Sequence, residues 1–331
     1  MKRNLLQALL GLALFGVVLQ VILVAPHAVR DHEAEKPASS SATPGSPSAD
    51  GANNGVDQSL QGMHMIETQQ GGKEWELWAD KADRIKDKDL LKLTKVKTIF
   101  FAKSGVTFTV TGEQGFVEVK TKNLRMEGNV ITESSNGYTF VTDWVNYTSA
   151  QKSLDTQSNV EMVGPTDKDG PGMKLTGKAM QAQMQEGTME ILNNVHANKT
   201  FNGRKVDIRS HRAQFNAHDR SAKFFGDAVL DMATMRITGP EAKFDYDAKT
   251  DQIRTLSVVN AKVSDTDKWA TADNLKVDFS QNKFIFTGHP RVVQNNDELK
   301  GEEIVFLDGG QRVQVHRARA KMDEKRMGKS N

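Results

Sequence analysis

The residues able to do chemistry in this chain are few and scattered. Eight histidines are spread over 331 residues. His211 and His218 stand seven apart, which matches neither one face of a strand nor one face of a helix. Metal sites need tighter grouping, with carboxylates or thiolates nearby. There is no cysteine, which removes disulfides, thiolate ligands, a cysteine nucleophile and a lipidated N-terminal cysteine. Asp245 and Asp247 flank Tyr246 and share a strand face, at about the 5–10 Å spacing of paired glycosidase carboxylates. Yet Asp247-Ala248-Lys249-Thr250-Asp251 reads as a hairpin turn, so solvated turn carboxylates are the better reading. No GxSxG, Walker or dinucleotide-binding pattern occurs. Asn146-Tyr147-Thr148 and Asn198-Lys199-Thr200 match glycosylation sequons, a pattern too common to weigh alone. The expectation is no catalytic residue, no metal and no cofactor.

What remains is scaffold, and its apolar pattern has period two. Phe108 and Val110 alternate with Thr107, Thr109 and Thr111. Val117 and Val119 alternate with Glu118 and Lys120. Leu275, Val277 and Phe279 alternate with Lys276 and Asp278. Such alternation marks strands with one face in and one face out. Residues 284–322 give three more short runs: Phe284 to Phe286, Ile304 to Leu307, and Val313 with Val315. Gly288-His289-Pro290 ends the first, and Asp308-Gly309-Gly310 reads as a tight hairpin after the second. Residues 74–92 fit a charged helix as well as a strand; we read them as strand.

From about residue 60 the chain repeats itself. A Gly- or Asn-marked turn followed by a small apolar residue recurs. It appears at Gly128-Asn129-Val130, Ser158-Asn159-Val160, Asn193-Asn194-Val195, Gly226-Asp227-Ala228, Asn260-Ala261 and Gly288-His289-Pro290. The spacing is roughly 29–35 residues, the range of stacked repeats. Between these marks a strand, a glycine and an apolar residue recur, as at Leu175-Thr176-Gly177 and Ile237-Thr238-Gly239. Turn signals about every ten residues predict an all-β chain of roughly 25 antiparallel strands. Split between two sheets at about 4.8 Å per strand, that is a slab on the order of 60 Å long.

The N-terminal end is of another kind. Residues 5–25 are apolar except for Gln7 and Gln20, long enough to span a bilayer. Lys2 and Arg3 in front place residues 1–4 in the cytoplasm. The run is longer than a signal-peptide core, so we expect an uncleaved anchor, with a cleaved signal as the alternative. Residues 26–57 are rich in Ser, Pro, Ala and Gly and read as a disordered tether. A net charge of +2 gives no case for nucleic acid.

The wording of residues 284–322 resembles a family. Gly288, Pro290, Val292, Gln294, Leu299, Gly301, Ile304, Phe306, Val313, Val315, Ala318 and Ala320 resemble the OstA-like proteins LptA and LptC of periplasmic lipopolysaccharide transport. Trp75 to Ala79 and Leu91 to Val96 look like LptC, as does the anchor. The resemblance implies an extended β-jellyroll, LptC-like over 58–200 and LptA-like over 201–322, with a basic tail at 323–331. It implies a non-enzymatic, inner-membrane-anchored periplasmic carrier. Lipopolysaccharide would come from the membrane subunits of an ABC exporter. It would leave to another jellyroll bridge protein or an outer-membrane receptor. Candidates to line an apolar groove are Phe108, Val110, Val117, Val119, Leu275, Val277, Phe279, Phe284, Phe286, Ile304 and Phe306. Val313, Val315, Arg317 and Arg319 would form a docking edge. On the residues alone, a filled core fits the same pattern. A structural or adhesive envelope protein, or a polysaccharide-acting enzyme on a β-solenoid, remains as an alternative.

Overall fold

The computed structural model describes residues 56–321, except 70, 87, 168–169, 202, 248–251 and 308–311. The expected anchor at 5–25, most of the tether, the basic tail and the turns at 248–251 and 308–310 lie outside the described residues. The described residues form one compact unit.

Six long strands come first: β1 (Val56–Gln69), β2 (Gly72–Ile85), β3 (Leu90–Phe101), β4 (Thr107–Glu118), β5 (Leu124–Ser134) and β6 (Thr139–Thr148). Four short ones follow: β7 (Ser153–Thr156), β8 (Val160–Val163), β9 (Lys174–Gly177) and β10 (Ala179–Gln183). Six more long strands are β11 (Thr188–Phe201), β12 (Arg204–Asn216), β13 (Ser221–Met232), β14 (Met235–Tyr246), β15 (Ile253–Ser264) and β16 (Lys268–Asp278). The described chain closes with β17 (Lys283–Thr287), β18 (Arg291–Gln294), β19 (Asp297–Lys300), β20 (Glu303–Leu307), β21 (Arg312–His316) and β22 (Arg319–Lys321). Residues 74–85 and 90–92 are strand, as read, because Trp75, Leu77 and Ala79 alternate into the core.

The short strands explain the architecture. β7 and β8 lie end to end against β6. β10 and β9 do the same against β11, and β17 and β18 against β16. Each such pair is one long strand broken in the middle. The unbroken strands are bent at the same level. Their pairing slips between Glu127 and Val130, Leu192 and Val195, and Phe225 and Ala228. The backbone is left-handed there at Gly128, Asn129, Asn193, Asn194, Gly226 and Asp227. These are bulges, which kink a strand and increase its twist.

The recurring Gly/Asn marks are therefore corners within strands rather than turns between them. Gly, Asn and Asp are chosen because they tolerate a left-handed backbone. The second motif sits on the neighbouring strand. A Cβ at Gly177 would meet the Ile191 Cγ2 methyl at 2.4 Å, and one at Gly239 the Val259 carbonyl oxygen at 2.6 Å. Glycine lets one corner nest in the next.

The line of corners divides the all-antiparallel sheet into two limbs. One limb holds β7, β10, β17, β20 and β21; the other holds β8, β9, β18, β19 and β22. Long strands cross from limb to limb. The expected two sheets are thus two halves of one continuous 22-stranded sheet. Ile191, Phe224, Leu256 and Leu275 of the first limb face Val195, Ile208, Leu230 and Ile237 of the second, all buried. Each such side chain removed from water contributes roughly 1.5–3 kcal/mol.

Candidate functional site

The inner faces of the two limbs form one apolar cluster among the described residues. Alternation on every long strand turns apolar residues inward, and the limbs meet through them. Thr98 of β3 donates to the Met126 sulfur of β5 across the interior at 3.8 Å. A cavity of about 20 Å³ remains between Phe201, Ile208 and Leu230 of β11–β13 on one side and Phe244, Leu256 and Phe279 on the other. That is room for about one water molecule. The interior is closed here, so the middle of the expected groove is packed.

The rim opposite the corners is held by side chains. Phe100 at the outer end of β3 meets Tyr147 of the other limb, ring centroids 4.6 Å apart. Phe201 meets Phe279 in the same way at 4.5 Å. Lys152, in the β6–β7 turn, pairs with Glu74 of β2 across the rim. Burial lowers the Lys152 pKa, with the Glu67 charge opposing. Burial pushes the Tyr147 phenol up to about 12, against a hydrogen bond with Ser149 and with help from Glu67. The Trp75 indole Nε1 is buried without a protein partner.

One charge intrudes on this apolar lining. On β11, Val195, Ala197 and Lys199 point inward in turn, and Lys199 is 6% exposed. Its ammonium donates to Asp167 Oδ1 and to the Pro171 carbonyl, both at 2.8 Å. Asp167 and Pro171 belong to the connection between β8 and β9.

The sequence candidates divide as follows. Val110, Val117, Leu275, Val277, Phe286 and Ile304 are buried on the inner faces. Phe108, Phe279, Phe284 and Phe306 are half-buried and pack on that core. Val119 does not join them. β4 ends at Glu118, whose carbonyl already receives the Lys122 N–H of the following turn, and Val119 is 38% exposed. Phe284 lies opposite Phe306, and Phe286 opposite Ile304, on paired strands. The expected docking edge, Val313, Val315, Arg317 and Arg319, is broken. Arg317 has a left-handed backbone, φ 51°, and its guanidinium reaches Glu302 at 2.5 Å. Val313 and Val315 thus belong to β21 of the first limb and Arg319 to β22 of the second.

The paired carboxylates and histidines do not assemble into a centre. Asp245 is held by Lys243 at 2.6 Å and by the Thr255 hydroxyl at 3.3 Å. Among the described residues no cluster of three or more His, Asp or Glu could hold a metal. Nor are the outer-face aromatics open platforms for sugar rings. Arg125 covers Trp144 at 4.3 Å, and Arg291 covers Trp269 at 4.9 Å.

Residues 34–200 match the family described as lipopolysaccharide-assembly, LptC-related. The chain belongs to this LptC-related family. Residues 207–311 match a second description, the LptA/(LptD N-terminal domain) lipopolysaccharide transport protein. The chain is therefore an LptC-like protein with an LptA-like C-terminal part. The two matches meet at the β11–β12 hairpin, within one unbroken ladder. A solved structure, LptH of Pseudomonas aeruginosa, titled the LptA homologous periplasmic component of the lipopolysaccharide transport device, is similar at 16% identity. The match covers 36% of this chain and 94% of that one, with a TM-score of 0.33. No curated protein matches the chain.

Two further features of this LptC-like protein escaped sequence reading. One is most of the second limb, where only Phe108 and Val110 were chosen and where Leu77, Ile208, Leu230 and Ile237 follow the same alternation. The other is β1, which among the described residues pairs only with β2 and forms the opposite edge of the sheet. Leu60, opposite the buried Ala82, is 58% exposed there.

Proposed function

We propose that this LptC-like protein is an inner-membrane-anchored periplasmic bridge that carries lipopolysaccharide between its limbs. One observation carries the reading. The inward apolar face continues from the LptC-related part into the LptA-like part, through Val195 and Ala197 of β11 and Val206 and Ile208 of β12, with Lys199 as its one charged member there. Acyl chains leave water at about 0.8 kcal/mol per CH₂, so a continuing apolar lining is what their transfer requires. Residues 5–25 anchor the chain, and the membrane subunits of an ABC exporter deliver the lipid and the energy. Sugars and phosphates stay in water at the rim. The rim is closed by side chains, so the limbs part to admit the chains. The residues there include Met173 and Met232, and methionine repacks easily.

The closed interior favours a second reading: a structural envelope protein with a filled core. A photo-crosslinker decides. At Phe306, on the half-buried inner face of β20, it captures lipid if the chain is a carrier. At Lys283, which alternates to the other face of β17, it does not. No capture at Phe306 during active transport, or equal capture at both positions, would overturn the carrier reading.

A further inference from the structure

Lys199 is the one fully buried charged side chain among the described residues. An apolar residue in its place would continue the inward row of Val195, Ala197 and Phe201. Burying an ammonium costs several kcal/mol unless it is paired and hydrogen-bonded. It is paired, but unusually. Its carboxylate partner comes from a connection at the rim, and Asp167 keeps 22% of its side chain exposed. Lys199 also lines the small cavity formed with Phe201, Leu230, Phe244 and Phe279. Tyr246 stands on the opposite rim. Burial pushes its phenol up, and the charges of Tyr138 and Asp167 push it the same way. A cation at the end of an apolar chamber, covered by an exchangeable carboxylate, is the layout of a head-group site.

We propose that Lys199 binds the phosphate of an acyl amphiphile whose chain lies between Phe201 and Phe279, the phosphate taking the place of Asp167. This rests on the carrier reading and adds to it a fixed stop along the path, with the phosphate at the rim in the partly exposed place that Asp167 holds. Asp167 turns toward water, on the side it already exposes. The ammonium exchanges one charge-assisted contact for another, so it is never left buried and unpaired. A neutral amphiphile of the same length gives Lys199 nothing in return for Asp167, and is discriminated against.

The test uses the full chain in nanodiscs of neutral phosphatidylcholine. The probes are hexadecyl phosphate and hexadecanol, each with a diazirine in the chain. The wild type is expected to capture the phosphate at least about tenfold better, as one charge-assisted contact allows. The label should fall on peptides containing Phe201 and Phe279. Lys199→Met should capture both probes alike, and Lys199→Arg should keep the preference. Asp167→Asn should raise phosphate capture several-fold, and it covers the case in which Lys199→Met does not fold. A preference retained in Lys199→Met, or unchanged capture in Asp167→Asn, overturns the proposal and leaves the ion pair as a clamp on the β8–β9 connection. Loss of capture in excess inorganic phosphate also overturns it, in favour of a site for the free ion. Equal capture of both probes by the wild type sinks the subsite but leaves the carrier. Capture of neither sinks the carrier reading itself.

Discussion

Gly239 has no room for a side chain. A methyl group there would meet the Val259 carbonyl oxygen and the Val258 Cγ1 methyl, both at 2.6 Å. One contact is with backbone, which cannot rotate away. Gly239→Ala should therefore destabilise the fold by about 2 kcal/mol, after allowing for the lower entropy of the unfolded alanine chain. The urea midpoint measures it; an unchanged midpoint would mean that the corners do not nest. Tyr147 gives a second prediction at this scale. Its phenol is pushed up to about 12 from an ordinary value near 10, first by burial. The fold favours the neutral phenol, so the contribution of Tyr147 is whole below pH 10 and is lost as pH rises to 12. Tyr147→Phe should lower stability slightly at neutral pH, through the lost Ser149 hydrogen bond. It should also flatten the fall in urea midpoint between pH 10 and 12. A fall as steep as that of the wild type would place the alkaline transition elsewhere.

The strands were legible one by one, because period-two alternation reports which face is buried. The corners were not. Asn193-Asn194 and Gly226-Asp227 carry the same residue types as hairpin turns, since both need a left-handed backbone. Only the pairing on both sides tells a bulge from a turn. The same limit applies at the end of the chain. Nothing in Val313 to Met322 resembles a break, yet Arg317 turns the backbone at the level of the other corners. The edge it leaves is short and testable. The Glu302 N–H donates to the His316 carbonyl at 3.0 Å. Alternation then turns the main-chain groups of Val315 and Val313 outward. An outward N–H is what an added strand pairs with. Val315→Pro removes it without costing the inner ladder a donor. If β21 docks the next bridge protein, or an outer-membrane receptor, Val315→Pro should abolish lipid transfer and leave thermal stability nearly unchanged. Transfer at the wild-type rate would mean that this edge, with Arg312 and Arg317 beside it, is guarded rather than used.

At the scale of the whole molecule the limbs are joined in two different ways. Along the corners they share backbone, with strands passing from one to the other. Along the rim the contacts described here, Phe100–Tyr147, Phe201–Phe279 and Lys152–Glu74, are between side chains. The first joint is covalent and the second is reversible, so any opening takes place at the rim. Its cost is the re-exposure of a few aromatic rings, of order 1.5–3 kcal/mol each, which an entering acyl chain offsets by covering them again. The absence of native cysteine makes this directly testable. With Phe201→Cys and Phe279→Cys in one chain, a short cleavable bis-maleimide should tie the limbs together at the middle of the rim. The tied protein should lose lipid transfer while keeping its fold, and cleavage of the linker should restore transfer. A longer linker, of about twice the span of a phospholipid chain's cross-section, should inhibit much less. Transfer at full rate through the tied protein would show that lipid does not travel between the limbs. The packed interior would then be a core, and the path would have to run over the outer faces, where Trp144 and Trp269 are covered by arginine.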